Sequence, residues 1–455
     1  MNRYRIVLFL FGVIAVLAVL CAVLPEEGVL GLRFPQLCEI FTAAEPVDEG
    51  PSPEELLEQR RQEAAIAAEG EEYESFFRTD PARFYVPGGD VRFFDELFEA
   101  LDRAETEPLR IVHYGDSQIE EDRITGAIRA RLQERFGGSG PGMMPARKHT
   151  TPRVGGSGTA GLRRYFNYGD VSHRAGIRQY GPYADFTRLD SVVTFNFHSI
   201  SRKDVELSTY DRITLVAGNL RSNLNVTHDG DKQTVTPESG ALAFVRYALP
   251  DSSTRASLTV SGHADLYGIL LDGKTGVRMD NVPMRGCSGS IFSSMDSDQL
   301  RSFYKEENVR LILLQYGGNS VPYLKTEKSI STYKESIRKQ IRFLQGLAPK
   351  AKIVFIGPSD MATTINGRRQ TYPKLPNVVD SLRSAATENG AAYWDIYGVM
   401  GGEGSMVQWV SSRPALAGPD YIHFTLAGAK KVGDVFSDAF LLYYDYYKWR
   451  KRNGR

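Results

Sequence analysis

From residue 109 onward, short runs of apolar residues alternate with longer segments whose apolar residues recur at helical spacing, and this rhythm leaves few folds open. The runs cover 109–114, 309–315, 353–356 and 392–396. The helical segments include 120–136, with Ile124, Ile128, Leu132 and Phe136 on one face and Gly137 as the stop. They also include 329–346 (Ile330, Tyr333, Ile337, Ile341, Leu344), 376–389 and a last helix from about Leu426. Strands that are apolar along their whole length need helices over both faces, so the pattern predicts an α/β sandwich around a parallel sheet. Between roughly 150 and 280 the period changes to two, in 193–198, 212–217, 241–247 and 256–260, with Gly, Asp, Ser and Pro clusters between. This predicts an inserted antiparallel β domain, a sandwich of jelly-roll type.

The 455 residues are more than one domain usually needs, at about 150 residues each, so something is appended to such a sandwich. Residues 6–24 carry no charge, follow Arg3 and Arg5 and precede Pro25, Glu26 and Glu27. At about 1.5 Å per residue they are long enough for a bilayer core of about 30 Å, which predicts a transmembrane helix. A cleaved signal peptide is the competing reading. With both arginines on the short side, the positive-inside rule sends the remaining chain across the membrane, into a periplasm or extracytoplasmic space. Residues 45–80 hold twelve acidic and three basic side chains, a composition that solvates rather than packs and predicts a stalk. Within it Ser52-Pro53-Glu54-Glu55 reads as a capping box opening a helix over 54–69. Asp90 is placed to cap a further helix holding Phe94, Leu97 and Leu101. The expected organisation is an anchor over 1–27, a stalk over 28–88, a sandwich in two parts over 89–150 and 281–455, and the insertion over 151–280.

Equal numbers of basic and acidic residues, 55 each, argue against a dedicated nucleic-acid partner. Cys21, Cys38 and Cys287 lack CxxC spacing, which excludes a disulfide scaffold and a zinc-thiolate centre, and no metal or other cofactor is expected.

Three segments carry chemistry. Gly115-Asp116-Ser117 stands where a buried strand gives way to a helix, at the carboxyl edge where open α/β sheets place ligands. A helix starting near Glu120 directs its N-terminal dipole at this turn. Asp420-Tyr421-Ile422-His423 sets an acid and a histidine three residues apart, so that the carboxylate fixes the imidazole and the other nitrogen acts as a base. Of the other histidines, His113 lies inside a strand as a core residue, and His149, His173, His198, His228 and His263 fall in the insertion region. Gly317-Gly318-Asn319 closes a strand with an amide suited to an oxyanion, and Gly289, within Arg285-Gly286-Cys287-Ser288-Gly289-Ser290, offers a backbone N–H. Each motif alone also reads as an ordinary turn.

Taken together and in this order, the motifs resemble those of the SGNH hydrolases, also called GDSL-type esterases. The resemblance covers roughly 109–150 and 281–440. It implies a three-layer α/β/α sandwich with a five-stranded parallel sheet, Ser117 as nucleophile, His423 as base and Asp420 as its orienting partner. It further implies an oxyanion hole made by Gly289, Asn319 and the Ser117 amide. Two positions depart from the pattern: Gln118 stands where leucine is commonest, and Ser320 where many members have aspartate.

An anchored domain with a β module inserted behind the nucleophile, together with the phrase Phe136-Gly137-Gly138-Ser139-Gly140-Pro141-Gly142, looks like the cell-wall O-acetylesterases of that superfamily. The activity this implies is removal of O-acetyl groups from peptidoglycan or another envelope polysaccharide, with an O-acetylated glycan, the membrane and envelope acetylation or cell-wall enzymes as partners. An O-acetyltransferase with the same triad and a non-catalytic glycan-binding scaffold are the alternatives. Tyr165, Tyr168 and Tyr180 read either as glycan-facing aromatics of the insertion or as packing residues. The aromatic and basic run 443–452 reads either as a membrane-facing patch or as the buried side of the last helix.

Overall fold

A computed structural model describes residues 3–23, 53–147, 149–151, 153–158, 162–201, 207–238 and 242–455. Cys38, Ser52 of the capping box and most of the acidic segment before it lie outside the described residues. The chain forms two units, Met1–Ala68 and Glu69–Arg455.

The first unit contains α1 (Arg3–Val23). Among the described residues it is the one helix long and apolar enough to cross a membrane, with a mean hydropathy of 3.2 over its apolar stretch. A second helix, α2 (Pro53–Thr79), extends ten residues beyond the expected 54–69. The reason is a change of composition: from Tyr73 on, Phe76 and Phe77 pack edge-on or tilted against Tyr443 and Tyr446 of the C-terminal helix, and Tyr73 lies against Trp449. Gly70 lets this happen, since a Cβ there would stand 2.7 Å from the Trp449 ring. The run 443–452 is accordingly a packing surface, with Tyr443, Tyr444, Tyr446, Tyr447 and Trp449 all buried.

The second unit is organised by six strands: β1 (Phe84–Tyr85), β2 (Leu109–Gly115), β3 (Val277–Pro283), β4 (Val309–Gln315), β5 (Lys352–Ile356) and β6 (Ala392–Trp394). Their order is β1-β6-β5-β4-β2-β3. Five of them are parallel, and β1 adds an antiparallel edge beside β6. Alternate residues of β2 serve opposite faces. Leu109 and Ile111 join the core under α3 (Asp95–Asp102), α4 (Thr125–Phe136) and α8 (Leu426–Arg452). Val112 and Tyr114 join the core under α5 (Ser297–Glu306), α6 (Glu327–Leu347) and α7 (Leu375–Thr387).

Two helix starts differ from expectation. Asp90 does not cap α3; its carboxylate accepts the N–H of Arg92 in a preceding turn, and α3 starts at Asp95. The helix expected from Glu120 begins at Thr125, because Glu121 and Asp122 take left-handed backbone angles (φ 59° and 61°). Asp122 is held there by a buried two-pronged ion pair with Arg129, at 2.6 and 2.8 Å.

Between α4 and β3 lie two antiparallel sheets. One runs Asp231–Val235, Leu224–His228, Arg255–Ser261, Val192–Ser199, Val154–Ser157 and His149–Thr150. The other runs Ala243–Ser253, Tyr210–Gly218, Ala264–Asp272, Asp185–Leu189 and Arg163–Phe166, with Gly142–Met144 paired to Ala264–Asp272. Phe195, Phe197, Leu215, Leu258, Leu266 and Ile269 share one core. The insertion also packs on the α/β core through Tyr180, Tyr183, Phe186 and Tyr267. Tyr168 and Tyr180 are therefore packing residues, at 6% and 3% exposure, and Tyr165 stacks on Phe186 between Arg163 and Arg188.

Where the insertion meets β2 and β3, Arg110 is completely buried and bonds to Asp272, Asp280 and Glu307. Burial alone lowers the affinity of Arg110 for its proton, but the three carboxylates outweigh it and keep the guanidinium charged.

Candidate active site

β2 ends at Gly115, and Asp116 turns the chain into a 3-10 turn, Ser117–Asp122, by accepting the N–H of Gln118 at 2.9 Å. Ser117 is thereby set at the carboxyl edge of the sheet. From the loop before α8, the Nε2 atom of His423 stands 2.8 Å from Ser117 Oγ, and Nδ1 stands 2.7 Å from Asp420 Oδ2. The other Asp420 oxygen accepts the backbone N–H of Ile422 and of His423, at 3.0 and 3.1 Å. This closed loop forces Tyr421 into the left-handed region, φ 59°, a strain the surrounding bonds sustain. Partial burial pushes the Asp420 carboxyl up, but the bonds from His423 and the two backbone N–H groups outweigh it and hold it below the ordinary range. A charged Asp420 keeps the proton on Nδ1, which leaves Nε2 free to accept from Ser117.

Asn319 follows β4 by way of Gly317 and Gly318. Its amide donates to Asp116 Oδ2 at 3.0 Å and to the Cys287 carbonyl at 3.2 Å. Asp116 is buried, and burial pushes its carboxyl up to about 6, against the bonds from Gln118 and Asn319. At neutral pH it is a carboxylate that holds the Asn319 amide beside Ser117.

Ser117, Asn319 and His423 line a cleft of about 530 Å³ together with Gln118, Glu120, Glu121, Arg123, Arg285, Gly286, Pro322, Tyr323 and Met361. Gly289, the expected backbone donor, is not part of it. It is buried with φ 81°, its N–H donates to Cys287 Sγ at 3.3 Å, and a Cβ would meet the Tyr316 ring at 2.7 Å. Gly286 takes its place at the cleft: with φ 75° it occupies the corner of a turn closed by Cys287 N–H donating to Met284 O at 2.9 Å. The N–H groups of Gly286 and Ser117 find no acceptor among the described residues. The turn is tied to the nucleophile turn by Arg285, which bonds both oxygens of Glu120.

Residues 251–431 match the family model of the GDSL-like lipase/acylhydrolase family. Over these residues the chain is similar to that family. The match takes in Gly286, Asn319, Asp420 and His423 and leaves out Ser117. A solved structure of a peptidoglycan O-acetylesterase superposes with a TM-score of 0.65 at 18% identity, over 79% of this chain and 99% of its own, a likeness of fold. A family two carbohydrate esterase from Cellvibrio japonicus aligns over 64% of this chain and 99% of its own at 10% identity, with a TM-score of 0.25 that carries no further meaning. No curated protein matches the sequence.

The helix dipole plays a smaller part than the sequence suggests, since α4 starts eight residues past Ser117. His113 is a core residue: its ring nitrogens bond Gln315 at 3.1 Å and Thr125 at 2.9 Å, and burial, partly opposed by the Gln315 bond, lowers it to about 3, so it stays neutral.

Two residues without an expected role join the nucleophile turn to the histidine loop. The Gln118 amide donates to Ile422 O at 2.6 Å and accepts the Phe424 N–H at 3.3 Å, bracketing His423 on both sides. Arg123 donates to Phe424 O and to Ser117 O, each at 3.1 Å. Glutamine at this position thus makes bonds that leucine cannot. Gln118→Met keeps the length of the side chain and removes both bonds, so kcat on a small acetate ester should fall by about 10- to 100-fold through misplacement of the imidazole. Steady-state kinetics beside a thermal melt check this; an unchanged kcat would show that the bracket does not set the Ser117–His423 distance.

Proposed function

We propose that the protein is a serine esterase that removes O-acetyl groups from peptidoglycan or another envelope polysaccharide. The observation that carries this reading is the Ser117–His423–Asp420 chain, at 2.8 and 2.7 Å, opening on a cleft that also holds Gly286 and Asn319. Ser117 Oγ attacks the ester carbonyl carbon as its proton passes to His423 Nε2. The carbonyl oxygen becomes an oxyanion that accepts from the N–H groups of Ser117 and Gly286 and, in place of the Cys287 carbonyl, from the Asn319 amide. We assign the backbone donor to Gly286 instead of Gly289, because Gly289 is spent on a sulfur away from the cleft. The imidazolium returns the proton to the departing sugar oxygen. A water deprotonated by His423 then attacks the acyl-serine, and acetate leaves with Ser117 restored.

In this reading α1 anchors the chain with Arg3 and Arg5 on the cytoplasmic side, and the esterase works in the periplasm or extracytoplasmic space. A signal sequence would export the same domain without holding it. Strand pairing supports an α/β domain over 69–141 and 277–455 with an inserted β domain over 142–276.

The full chain in detergent, given O-acetylated peptidoglycan and in parallel an O-acetylated plant-type glycan, should release acetate, and Ser117→Ala should not. Failure on both glycans, with Ser117 still acylated by an aryl acetate, would redirect the reading to an O-acetyltransferase awaiting a sugar acceptor. Asn319→Ala removes one oxyanion donor and should lower kcat by about 100- to 1,000-fold with little change in KM.

A further inference from the structure

If the substrate is a glycan, as the proposed function holds, some surface must receive the sugar ring. The tyrosines of the insertion that suggested themselves from sequence are spent in packing, Tyr168 and Tyr180 in the core and Tyr165 between two arginines. Among the described residues of Glu69–Arg455, the large hydrophobic side chains left exposed are Val171, Val192, Leu207, Tyr323 and Leu426. Tyr323 is the aromatic one, 80% exposed, and it lies on the wall of the catalytic cleft. A single exposed tyrosine elsewhere on the surface would need no explanation. Here its position supplies one.

The Tyr323 backbone is held in place. It ends a one-turn 3-10 helix, Val321–Tyr323, in which Pro322 restricts the backbone and Val321 is buried. Its N–H donates to Ser320 O at 2.9 Å and its carbonyl accepts from Lys325 at 3.1 Å. This turn begins two residues after Asn319, so the ring is fixed to the same segment as the oxyanion amide. The Tyr323 hydroxyl has no partner among the described residues and remains available to one outside the protein.

Strand order divides the cleft by chemistry. Glu120, Glu121, Arg123 and Arg285 follow β2 and β3, whereas Pro322, Tyr323 and Met361 follow β4 and β5. The acyl carbon has to reach Ser117 between these two sides. An aromatic ring that is four-fifths exposed cannot enclose an acyl group, so what it receives belongs to the alcohol half of the ester. A flat partner with one C–H face and a rim of hydroxyls fits an exposed phenol on one side and charged hydrogen-bonding groups on the other. A pyranose has that shape.

We propose that Tyr323 is the platform on which the acetylated sugar ring of the substrate stacks, and so sets the preference of the cleft for sugar esters. The test compares parent, Tyr323→Ala, Tyr323→Phe and Tyr323→Trp on O-acetylated peptidoglycan fragments and on ethyl acetate, which has no ring to stack. In Tyr323→Ala the loss of kcat/KM on the glycan should exceed the loss on ethyl acetate by about tenfold and appear in KM, and phenylalanine and tryptophan should restore it. Equal losses on both substrates, or no loss on the glycan, overturn the platform while leaving the glycan esterase standing. A parent that cleaves ethyl acetate but no glycan overturns the glycan reading itself, and the platform with it.

Discussion

Ser117→Ala should leave ester hydrolysis at least about 10⁴-fold below the parent, and Asp420→Asn should approach the same loss with the nucleophile still in place. The second result is the more informative, because the change is a single atom pair. In the parent, Asp420 Oδ2 accepts from His423 Nδ1 at 2.7 Å, while Oδ1 accepts from two backbone N–H groups. An asparagine retains its oxygen for the backbone bonds and turns its NH₂ toward Nδ1. That arrangement favours the tautomer with the proton on Nε2, which cannot accept from Ser117. Fold and loop geometry should survive, so a thermal melt close to the parent's, beside a kcat reduced by about 10⁴-fold on an aryl acetate, is the expected pair of results. A kcat within tenfold of the parent's would mean that Asp420 only positions the loop.

Arg110→Met should produce the largest loss of stability, about 3–5 kcal/mol, although Arg110 has no part in the chemistry. The substitution fills much of the same volume but leaves Asp272, Asp280 and Glu307 around a vanished charge. Burial raises Asp272 and Glu307, yet Arg110, with Arg212 among their further partners, holds both below the ordinary range. Asp280, less well served, is pushed up to about 6, first by burial and then by its carboxylate neighbours. The pH dependence follows with a definite sign. In the parent, the lowered pKa values of Asp272 and Glu307 contribute stability that is present above their unfolded values and lost as pH falls through the folded ones. In Arg110→Met the orphaned carboxyls bind protons more tightly when folded than unfolded, so the variant gains stability as pH falls toward the unfolded values. The gap between the two proteins should therefore narrow between neutral pH and about 5. Urea unfolding at the two pH values measures it; a gap that widens in acid would show that the network does not depend on the arginine's charge.

The same residues explain why β3 is hard to read in the sequence. Val277-Arg278-Met279-Asp280-Asn281-Val282-Pro283 mixes charged and apolar residues, which argues against a strand covered on both faces. It is nonetheless covered, since Arg278 and Asp280 take part in the buried charge cluster and Asn281 bonds Ile119 O and Thr125. By contrast 309–315 is apolar enough to declare itself, and it is β4 without adjustment. Which glycine lines the cleft was ambiguous for a local reason. Gly286 and Gly289 both adopt positive φ, and Cys287 and Ser288 between them hold nothing that tells which glycine lines the cleft.

What the sequence by itself determined are the features set by local spacing: the alternation that demands a parallel sheet, the apolar N-terminal helix, and an acid and a histidine close enough to bond within one turn. These depend on periodicity and on short-range geometry, which a linear string records. Tertiary structure alone decided what depends on residues far apart in the chain. It brought Ser117 to His423 across 306 positions, turned Gly286 instead of Gly289 to the cleft, and gave Gln118 its bond to a loop it does not adjoin. It also left Tyr323 bare while burying the tyrosines of the insertion. Hydrogen-bond direction and solvent exposure are properties of the packed chain, because each is fixed by which distant segment comes to lie opposite.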